Sequence, residues 1–393
     1  MDIQTKNKQA YDVIVVGGGV AGVAAAVAAA RNGSKTLLME KSCILGGLAT
    51  LGLISWYEPL CDGEGKQMIA GISEELIRLS IKYGFENMPK NWGGIGEHYC
   101  RYDRFATYYS PNIFAVALIE YLEENGVELL LDTLATFPEM KDGRCTGVLV
   151  ETVAGREFFP AKFVIDATGT AEICRRAGIP SELGENFFTY ITHELDKEGA
   201  DKLAETGDFC TARRWRNVGS DLRGNGHPEG MAKLTSETAE DVTEYMVIGA
   251  KKLMARLKNE DKESRDIMTL PGMPQYRTIR RIIGEYEFDG TEIDVRFEDS
   301  VGSFADFRVR GRRFHLPYKT LYNKKVPNVY AVGRIISSKE DGWELTRVIP
   351  VCALSGEAAG TAAALCVKTG ADAATLDIGL LQKTMRDAGN LFE

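Results

Sequence analysis

Val13-Ile14-Val15-Val16-Gly17-Gly18-Gly19-Val20-Ala21-Gly22 decides the fold of this chain. The β-branched run from Tyr11 to Val16 reads as a buried strand, Gly17 to Gly19 as a turn, and the small residues Val20 to Asn32 as a helix stopped by Gly33 in the manner of a glycine C-cap. Lys35 to Glu40 is then a second strand, giving a right-handed βαβ unit with parallel strands. The same residues include an uncharged run of 18, Val13 to Ala30, long enough to raise a membrane span or signal sequence. Its four glycines, its Ala and Val content, and its division into a strand and a small-residue helix favour a buried βα unit instead.

Gly17-Gly18-Gly19-Val20-Ala21-Gly22 fits G-x-G-x-x-G. The first glycine permits a tight strand-to-helix turn, the second lets backbone approach a pyrophosphate, and the third lets helix and strand pack closely. The helix start supplies free N–H groups and partial positive charge for phosphates. Glu40 closes the second strand, 23 residues after Gly17. A carboxylate there accepts hydrogen bonds from a ribose diol and repels a 2′-phosphate, which favours FAD or NAD over NADP.

Later elements separate FAD from NAD. Gly46-Gly47-Leu48-Ala49-Thr50 follows the ribose-side strand and lets backbone approach the cofactor again. Ile165-Asp166-Ala167-Thr168-Gly169 is a strand ending in small residues, with its tip over the nucleotide. Val329-Tyr330-Ala331-Val332-Gly333-Arg334 and the Ala- and Gly-rich helix Ile349 to Thr369 supply a strand end and a helix start for the far end of a long cofactor, where a helix N-terminus stabilises negative charge on a reduced flavin. A short NAD half-site needs none of these.

Between these elements, Ile72 to Lys82 reads as an amphipathic helix, Pro111 to Asn125 as a helix and Val127 to Leu131 as a strand. Thr136 to Phe159 alternates around Lys141-Asp142-Gly143 and Ala154-Gly155, which predicts a β-meander. Met231 to Glu260 reads as a helix, and Arg277 to Tyr286, Glu292 to Phe297 and Phe307 to Pro317 as strands and loops. The fold class is therefore α/β: a Rossmann-like FAD-binding domain with a β-meander, plus an inserted α+β substrate domain. Residues 1–55, 111–178 and 325–393 form the discontinuous FAD-binding domain, and 56–110 with 179–324 the substrate or cap domain.

The GGGVAG loop, EKSCILGGLATLG, the VIDATG strand, RTIRRIIGEYEF and AVGRIISSKEDGWELTRVIPVCALSGEAAGTAAA together resemble the FAD-dependent oxidoreductase family, of the glutathione-reductase-like fold type. The resemblance covers both ends well and residues 85–110 and 180–270 poorly. It implies FAD held by Gly17, Gly19, Glu40, Lys41, Gly47, Thr50, backbone near Leu134, Ala167, Gly169 and Gly333, with Arg347 near the flavin. Gly18, Val20, Ala21, Gly22, Gly46, Leu48, Ala49, Thr168 and Arg334 complete the motifs. Many flavoenzymes of this fold carry Gly-Asp where this chain has Gly333-Arg334, so Arg334 changes a contact to the ribityl chain.

Because the flavin performs hydride chemistry itself, protein groups position the substrate and tune the ring. Arg281, beside Arg280, is a candidate anion clamp or a structural ion pair. His315 is a candidate general base or a satisfied structural histidine. Tyr57, next to Trp56, either covers the flavin or packs in the core. His98 with Arg101 and Arg104 is a basic cluster, and Cys43 beside the flavin loop reads as a thiol of packing interest only.

With 47 basic and 56 acidic residues the net charge is −9, a poor match to nucleic acid. The eight cysteines include no CxxC pair, so neither a metal finger nor a redox dithiol is supported, and the composition reads as a cytoplasmic protein with reduced thiols. No second G-x-G-x-x-G follows a strand. The sequence thus predicts an FAD-dependent dehydrogenase or oxidase moving a hydride between a small organic substrate and FAD. Its alternative is a flavin subunit of a larger electron-transfer complex. No metal, nucleic-acid partner or membrane span is expected, and the electron acceptor and a homo-oligomeric state stay open.

Overall fold

The computed structural model describes residues 5–96, 104–221 and 224–392. The run that raised a membrane span divides as its glycines require: β1 (Tyr11–Val16), the glycine turn, then α1 (Val20–Arg31). β2 (Thr36–Met39) lies parallel to β1, with Val15 opposite Leu38. After α2 (Gly71–Ile81) and α3 (Pro111–Glu124), β3 (Glu128–Leu130) adds to the free edge of β2, again parallel.

The meander follows. β4 (Leu134–Lys141) and β5 (Arg144–Thr152) form an antiparallel hairpin whose turn residues Asp142 and Gly143 both have positive φ, the geometry of a tight two-residue hairpin turn. β6 (Gly155–Asp166) departs from the sequence expectation. The meander and the strand ending at Asp166 are one strand, not two. Its first half pairs antiparallel with β5, as far as Pro160 opposite Gly147. Its second half runs parallel to β1, with Val13 opposite Phe163 and Val16 opposite Asp166. Pro160 has no N–H to donate and stands where the strand changes partners.

On the far side of β6, β7 (Val329–Ala331) closes the parallel set, with Val329 opposite Val164. The chain therefore returns from near its C-terminus to the sheet it began.

Every central strand is buried on both faces, as a parallel sheet requires. Val13, Val15, Leu38, Phe163 and Ile165 join one core with α1, while Ile14, Val16, Leu37, Met39 and Val164 join a second with Val148 and Val150 of the meander. The layers are helices, parallel sheet and meander. On the helical side lies α4 (Ile349–Thr369), reached after the short α-helix Glu340–Thr346. It is long and apolar enough to cross a membrane, but 89% of that stretch is buried, so it is a core helix of this fold. It packs directly on α1. A Cβ at Gly356 would stand 2.1 Å from the Ala21 carbonyl oxygen, and one at Gly360 would stand 2.1 Å from that of Ala25. The two glycines are one helical turn apart and face two alanines one turn apart, so the helices meet backbone to backbone.

A third, smaller core joins Phe188, Tyr190, Leu234, Tyr245, Leu253, Tyr276 and Ile279. It belongs to residues 186–279, with a three-stranded antiparallel sheet centred on Ile191–Asp196 and one long helix, Ala239–Leu257. That helix starts eight residues later than the sequence pattern suggests. Thr238 and Asp241 form a reciprocal capping box that fixes its start. The expected strand over Arg277 to Tyr286 is reduced to Arg280–Ile282, and Glu292 to Phe297 is not a strand. Ser300–Ala305 and Arg313–Pro317 form a hairpin.

Replacing Gly356 or Gly360 by alanine is expected to destabilise the protein by about 1–3 kcal/mol each, the usual cost of overpacking a close contact. Helix propensity alone favours alanine by roughly 0.5–1 kcal/mol. A rise in the denaturation midpoint of either variant would overturn the account of this interface.

Candidate functional site

The tips of β1 and β6 and the start of α1 converge at one point. Gly17 has φ 108°, and a side chain there would press on the Ala167 carbonyl oxygen at 2.4 Å. A side chain at Gly22 would meet the Gly17 carbonyl oxygen at 1.9 Å. Both glycines are therefore required by the fold itself. Gly19 differs: a Cβ there meets no atom within 4 Å, because it would enter the cleft above the strand tips. α1 begins without a side-chain cap and without an acidic residue in its first turn. Its leading N–H groups are left for an external acceptor, the arrangement that suits a phosphate.

Glu40, at the end of β2, lines the same cleft. Its Oε2 accepts from the Gly18 N–H at 2.7 Å and its Oε1 from the Ser42 N–H at 2.8 Å. The carboxylate thus ties the glycine loop to the segment that follows β2 while facing the space beside Gly19.

On the opposite wall, Asp166 ends β6. Its carboxyl group accepts from the Thr168 N–H and hydroxyl, at 3.1 and 2.7 Å, and from the Cys174 N–H at 2.8 Å. Burial raises its pKa, and those donors oppose the rise. The result is a fixed Ala167-Thr168-Gly169 turn at the cleft. Asp166 is a positioning residue that sequence reasoning passed over, although an acid inside an apolar strand was a visible signal.

Arg334 faces this turn from the end of β7. Its Nε donates to the Gly169 carbonyl at 2.8 Å, and its Nη1 donates to the Tyr276 carbonyl. Burial pulls its pKa down to about 10. The arginine brackets two backbone carbonyls from different parts of the chain, so much of its hydrogen-bonding capacity is directed at protein. Gly333 beside it has φ 74° and donates its N–H to the Ser355 hydroxyl at 2.8 Å.

The cleft encloses about 1250 Å³, part of it open to solvent. Of the residues named from sequence, Gly17, Gly19, Val20, Ala21, Glu40, Lys41, Gly46, Gly47, Leu48, Ala49, Ala167, Thr168, Gly169, Gly333, Arg334 and Arg347 line it. Gly18, Gly22 and Thr50 stand behind the wall. Gly18 donates to Glu40, Gly22 packs on Gly17, and the Thr50 hydroxyl donates to the Leu45 carbonyl. Leu134 is half exposed on β4 and is not part of the lining, although the neighbouring Thr133 N–H donates to the Glu40 carbonyl.

The three residues expected to act on substrate are not brought to the cleft lining. Arg281 lies opposite Glu182 across a short antiparallel pair and is bonded to both Glu182 and Glu287, a buried arginine closed by two carboxylates that reach solvent. His315 sits in the Arg313–Pro317 strand opposite Ser303, with burial holding its pKa below the usual histidine value. Tyr57 is fully buried and donates to the Ser73 carbonyl at 3.0 Å. His98 and Arg101 lie outside the described residues. Cys43 is exposed and not part of the lining.

Sequence reasoning missed the wall contributed by the 186–279 unit and its continuation: Ser236, Val242, Gly272, Met273, Pro274 and Ile279. The apolar turn Pro271-Gly272-Met273-Pro274, inside a polar region, was the available signal. It is anchored by the Gly272 N–H donating to the Leu51 carbonyl at 2.9 Å and by the Gln275 amide donating to the Gly52 carbonyl at 2.7 Å.

Residues 12–190 and 202–385 match the protein family described as FAD dependent oxidoreductase. The chain is 28% identical over 245 residues to digeranylgeranylglycerophospholipid reductase of Methanoculleus marisnigri, covering 57% of this chain and 58% of that protein. It is 24% identical over 357 residues to glutathione reductase of Yarrowia lipolytica, covering 84% and 68% respectively. Its fold is similar to p-nitrophenol 4-monooxygenase from Pseudomonas putida, with a TM-score of 0.54 at 13% identity, covering 97% of this chain and 89% of that one. The chain thus spans just over half the length of the first of these relatives. FAD is the cofactor, and the open face of Gly19, the uncapped start of α1 and the Glu40 carboxylate fit its pyrophosphate and ribose.

Glu40→Ala is expected to weaken FAD binding by about 10- to 100-fold, since a hydrogen bond to a charged group contributes roughly 1.5–3 kcal/mol. Quenching of FAD fluorescence on adding cofactor to the FAD-free protein measures it. Unchanged affinity would remove Glu40 from the ribose site.

Proposed function

Because this chain belongs to the FAD dependent oxidoreductase family, we propose that it acts as a dehydrogenase or oxidase, moving a hydride between a small organic substrate and FAD. The observation that carries this reading is the extent of the cleft. Its wall runs continuously from Glu40 and the glycine loop, past Gly169, to Arg334, Arg347 and Ile349. A nucleotide half alone would leave the second end without a purpose.

In this reading Gly19 and the first turn of α1 hold the pyrophosphate, Glu40 the ribose, and Gly46 to Ala49 the cofactor from the other side. Bound FAD supplies reversible two-electron chemistry. The chain supplies position and electrostatics. α4 starts at Ile349 with no side-chain cap, so its N–H groups offer partial positive charge at the far end of the cleft. Leu51, Met273, Pro274 and Ile279 give the cleft an apolar stretch of wall. No proton transfer is assigned to His315, Tyr57 or Arg281, because none of them lines the cleft. Substrate selection is assigned to residues 186–279, which own a separate core and overhang the cofactor wall. The seven described cysteines are all unpaired, which supports a reduced, cytoplasmic setting.

The relatives' names describe reactions on a phospholipid, on glutathione and on p-nitrophenol. They support flavin-dependent redox chemistry and leave the substrate to be found by experiment. Anaerobic titration of the FAD-loaded protein with small alcohols, amines and hydroxy acids is expected to bleach the flavin absorption. In the reduced protein, unsaturated acceptors are expected to restore it. A flavin that dithionite bleaches but that exchanges electrons with none of these compounds would overturn the proposal.

A further inference from the structure

The segment Pro271 to Tyr276 crosses the cleft. Gly272, Met273 and Pro274 line it, together with Gly17, Gly19 and Glu40. The segment is tied on both sides. On one side the Gly272 N–H donates to the Leu51 carbonyl at 2.9 Å, and the Gln275 Nε2 donates to the Gly52 carbonyl at 2.7 Å. Leu51 and Gly52 directly follow the Gly46 to Thr50 turn. On the other side the Tyr276 carbonyl accepts from Arg334, whose Nε holds the Gly169 carbonyl at 2.8 Å. The first pair of ties reaches the loop after β2, and the second reaches the ends of β6 and β7. Since β2 and β6 flank β1 in the sheet, the strap spans the tip of β1 and the glycine turn that follows it.

The strap is stiff and is firmly joined to its own unit. Pro271 and Pro274 have no N–H to lose, and their rings fix φ at about −65°. Gln275 is buried: its Oε1 accepts from the Ile191 N–H at 2.7 Å, and its backbone N–H donates to the Tyr245 hydroxyl at 3.2 Å. The catch at Leu51 and Gly52 is weaker. Gly272 is exposed and Leu51 half-buried, so water takes over that bond when it breaks. The Gln275 Nε2 has a second acceptor in the Ile191 carbonyl at 3.2 Å, so it keeps a partner when Gly52 moves away. Hydrogen bonds whose donors stay satisfied cost little to break, because the large penalty falls on groups left buried and unpaired.

We propose that residues 271–276 are a clasp that retains FAD, closing onto Leu51 and Gly52 and parting from them to let the cofactor in or out. The family supplies the cofactor, and the clasp depends on that and not on the hydride transfer proposed above. A ligand held under a segment fastened on both sides leaves only when one fastening opens, so the catch sets the rate of FAD exchange. Gln275 is the positioning residue of the clasp, since it joins the strap to the 186–279 unit and to the cofactor loop at once.

A covalent catch tests this. A Cβ at Gly272 would stand 3.7 Å from that of Leu51, within the span of a disulfide. The Leu51 Cδ2 that would crowd it, at 2.7 Å, is removed by the substitution itself. In Leu51→Cys combined with Gly272→Cys, the oxidised FAD-loaded protein is expected to release FAD on dilution about tenfold or more slowly than the same protein reduced with dithiothreitol. Recovery of free-flavin fluorescence follows the release. Gln275→Leu, which cuts the tie to Gly52, is expected to release FAD about fivefold or more faster than the unaltered protein while still binding it to saturation. In the unaltered protein, bound FAD is expected to slow hydrogen exchange of peptides spanning residues 271–276. Equal release from the oxidised and reduced forms of the crosslinked protein, unchanged release from folded Gln275→Leu, or equal exchange with and without FAD would each overturn the clasp. Should the crosslink not form, judged by free thiols, or Gln275→Leu not fold, judged by its denaturation midpoint, the exchange measurement decides. Absence of flavin bleaching by organic donors leaves all of these readouts in place and counts only against the hydride reading.

Discussion

The architecture turns on a contact that leaves no room for a side chain. Gly22 in α1 lies so near the Gly17 carbonyl that one added carbon would stand 1.9 Å from its oxygen, and Gly17 in turn leans on Ala167. The start of a helix and the tips of two strands are thereby drawn together. At that point peptide N–H groups are exposed at the end of a parallel sheet, the place where such sheets bind ligands. α4 repeats the device on the other flank of α1, with Gly356 and Gly360 against Ala21 and Ala25. Backbone contact on both sides makes α1 rigid, and a rigid α1 fixes where its N-terminus points. The exposed N–H groups are held in a geometry that the apolar core has already set.

This is also why that half of the molecule is legible in the sequence. Gly17, Gly19, Gly22 and Glu40 act through local backbone geometry at short spacing, so their types and order are enough to read their purpose. The strands between them are buried on both faces and show as continuous apolar runs. α4 is legible for the same reason, since its small residues serve a helix-to-helix contact. β6 is harder. Nothing local says that one strand serves the meander and the parallel sheet in turn, because the partners on its two halves come from β5 and from β1.

The substrate side was far less readable, and the physical reason is pairing over long separations. Arg281 reads as an anion clamp or an ion pair alike until Glu182 stands opposite it, 99 residues earlier in the chain. Tyr57 reads as a flavin cover or a core aromatic, and its hydroxyl is held by Ser73. His315 reads as a base or a structural histidine, and it sits in a hairpin opposite Ser303 where burial lowers its pKa. In each case residue type was visible and the partner was not. The 186–279 unit adds a second difficulty. Its strands Arg213–Asn217 and Arg265–Thr269 are polar and largely solvent-facing, so they lack the apolar alternation that marks a strand.

Which arginines are satisfied then becomes the informative question for the whole cleft. Arg334 gives its donors to the carbonyls of Gly169 and Tyr276, and so joins the nucleotide half to the segment that overhangs it. That role needs a buried fork of donors, and an aspartate at the same position could not fill it. Arg281 is closed by two carboxylates. Arg347 has one carboxylate and a buried Nε left over. Burying a cation without a partner is costly, and the cost is tolerated where an anion completes the site. Arg347 lines the same cleft as the glycine loop, so the peptide N–H groups at the start of α1 and one buried guanidinium N–H face a common space.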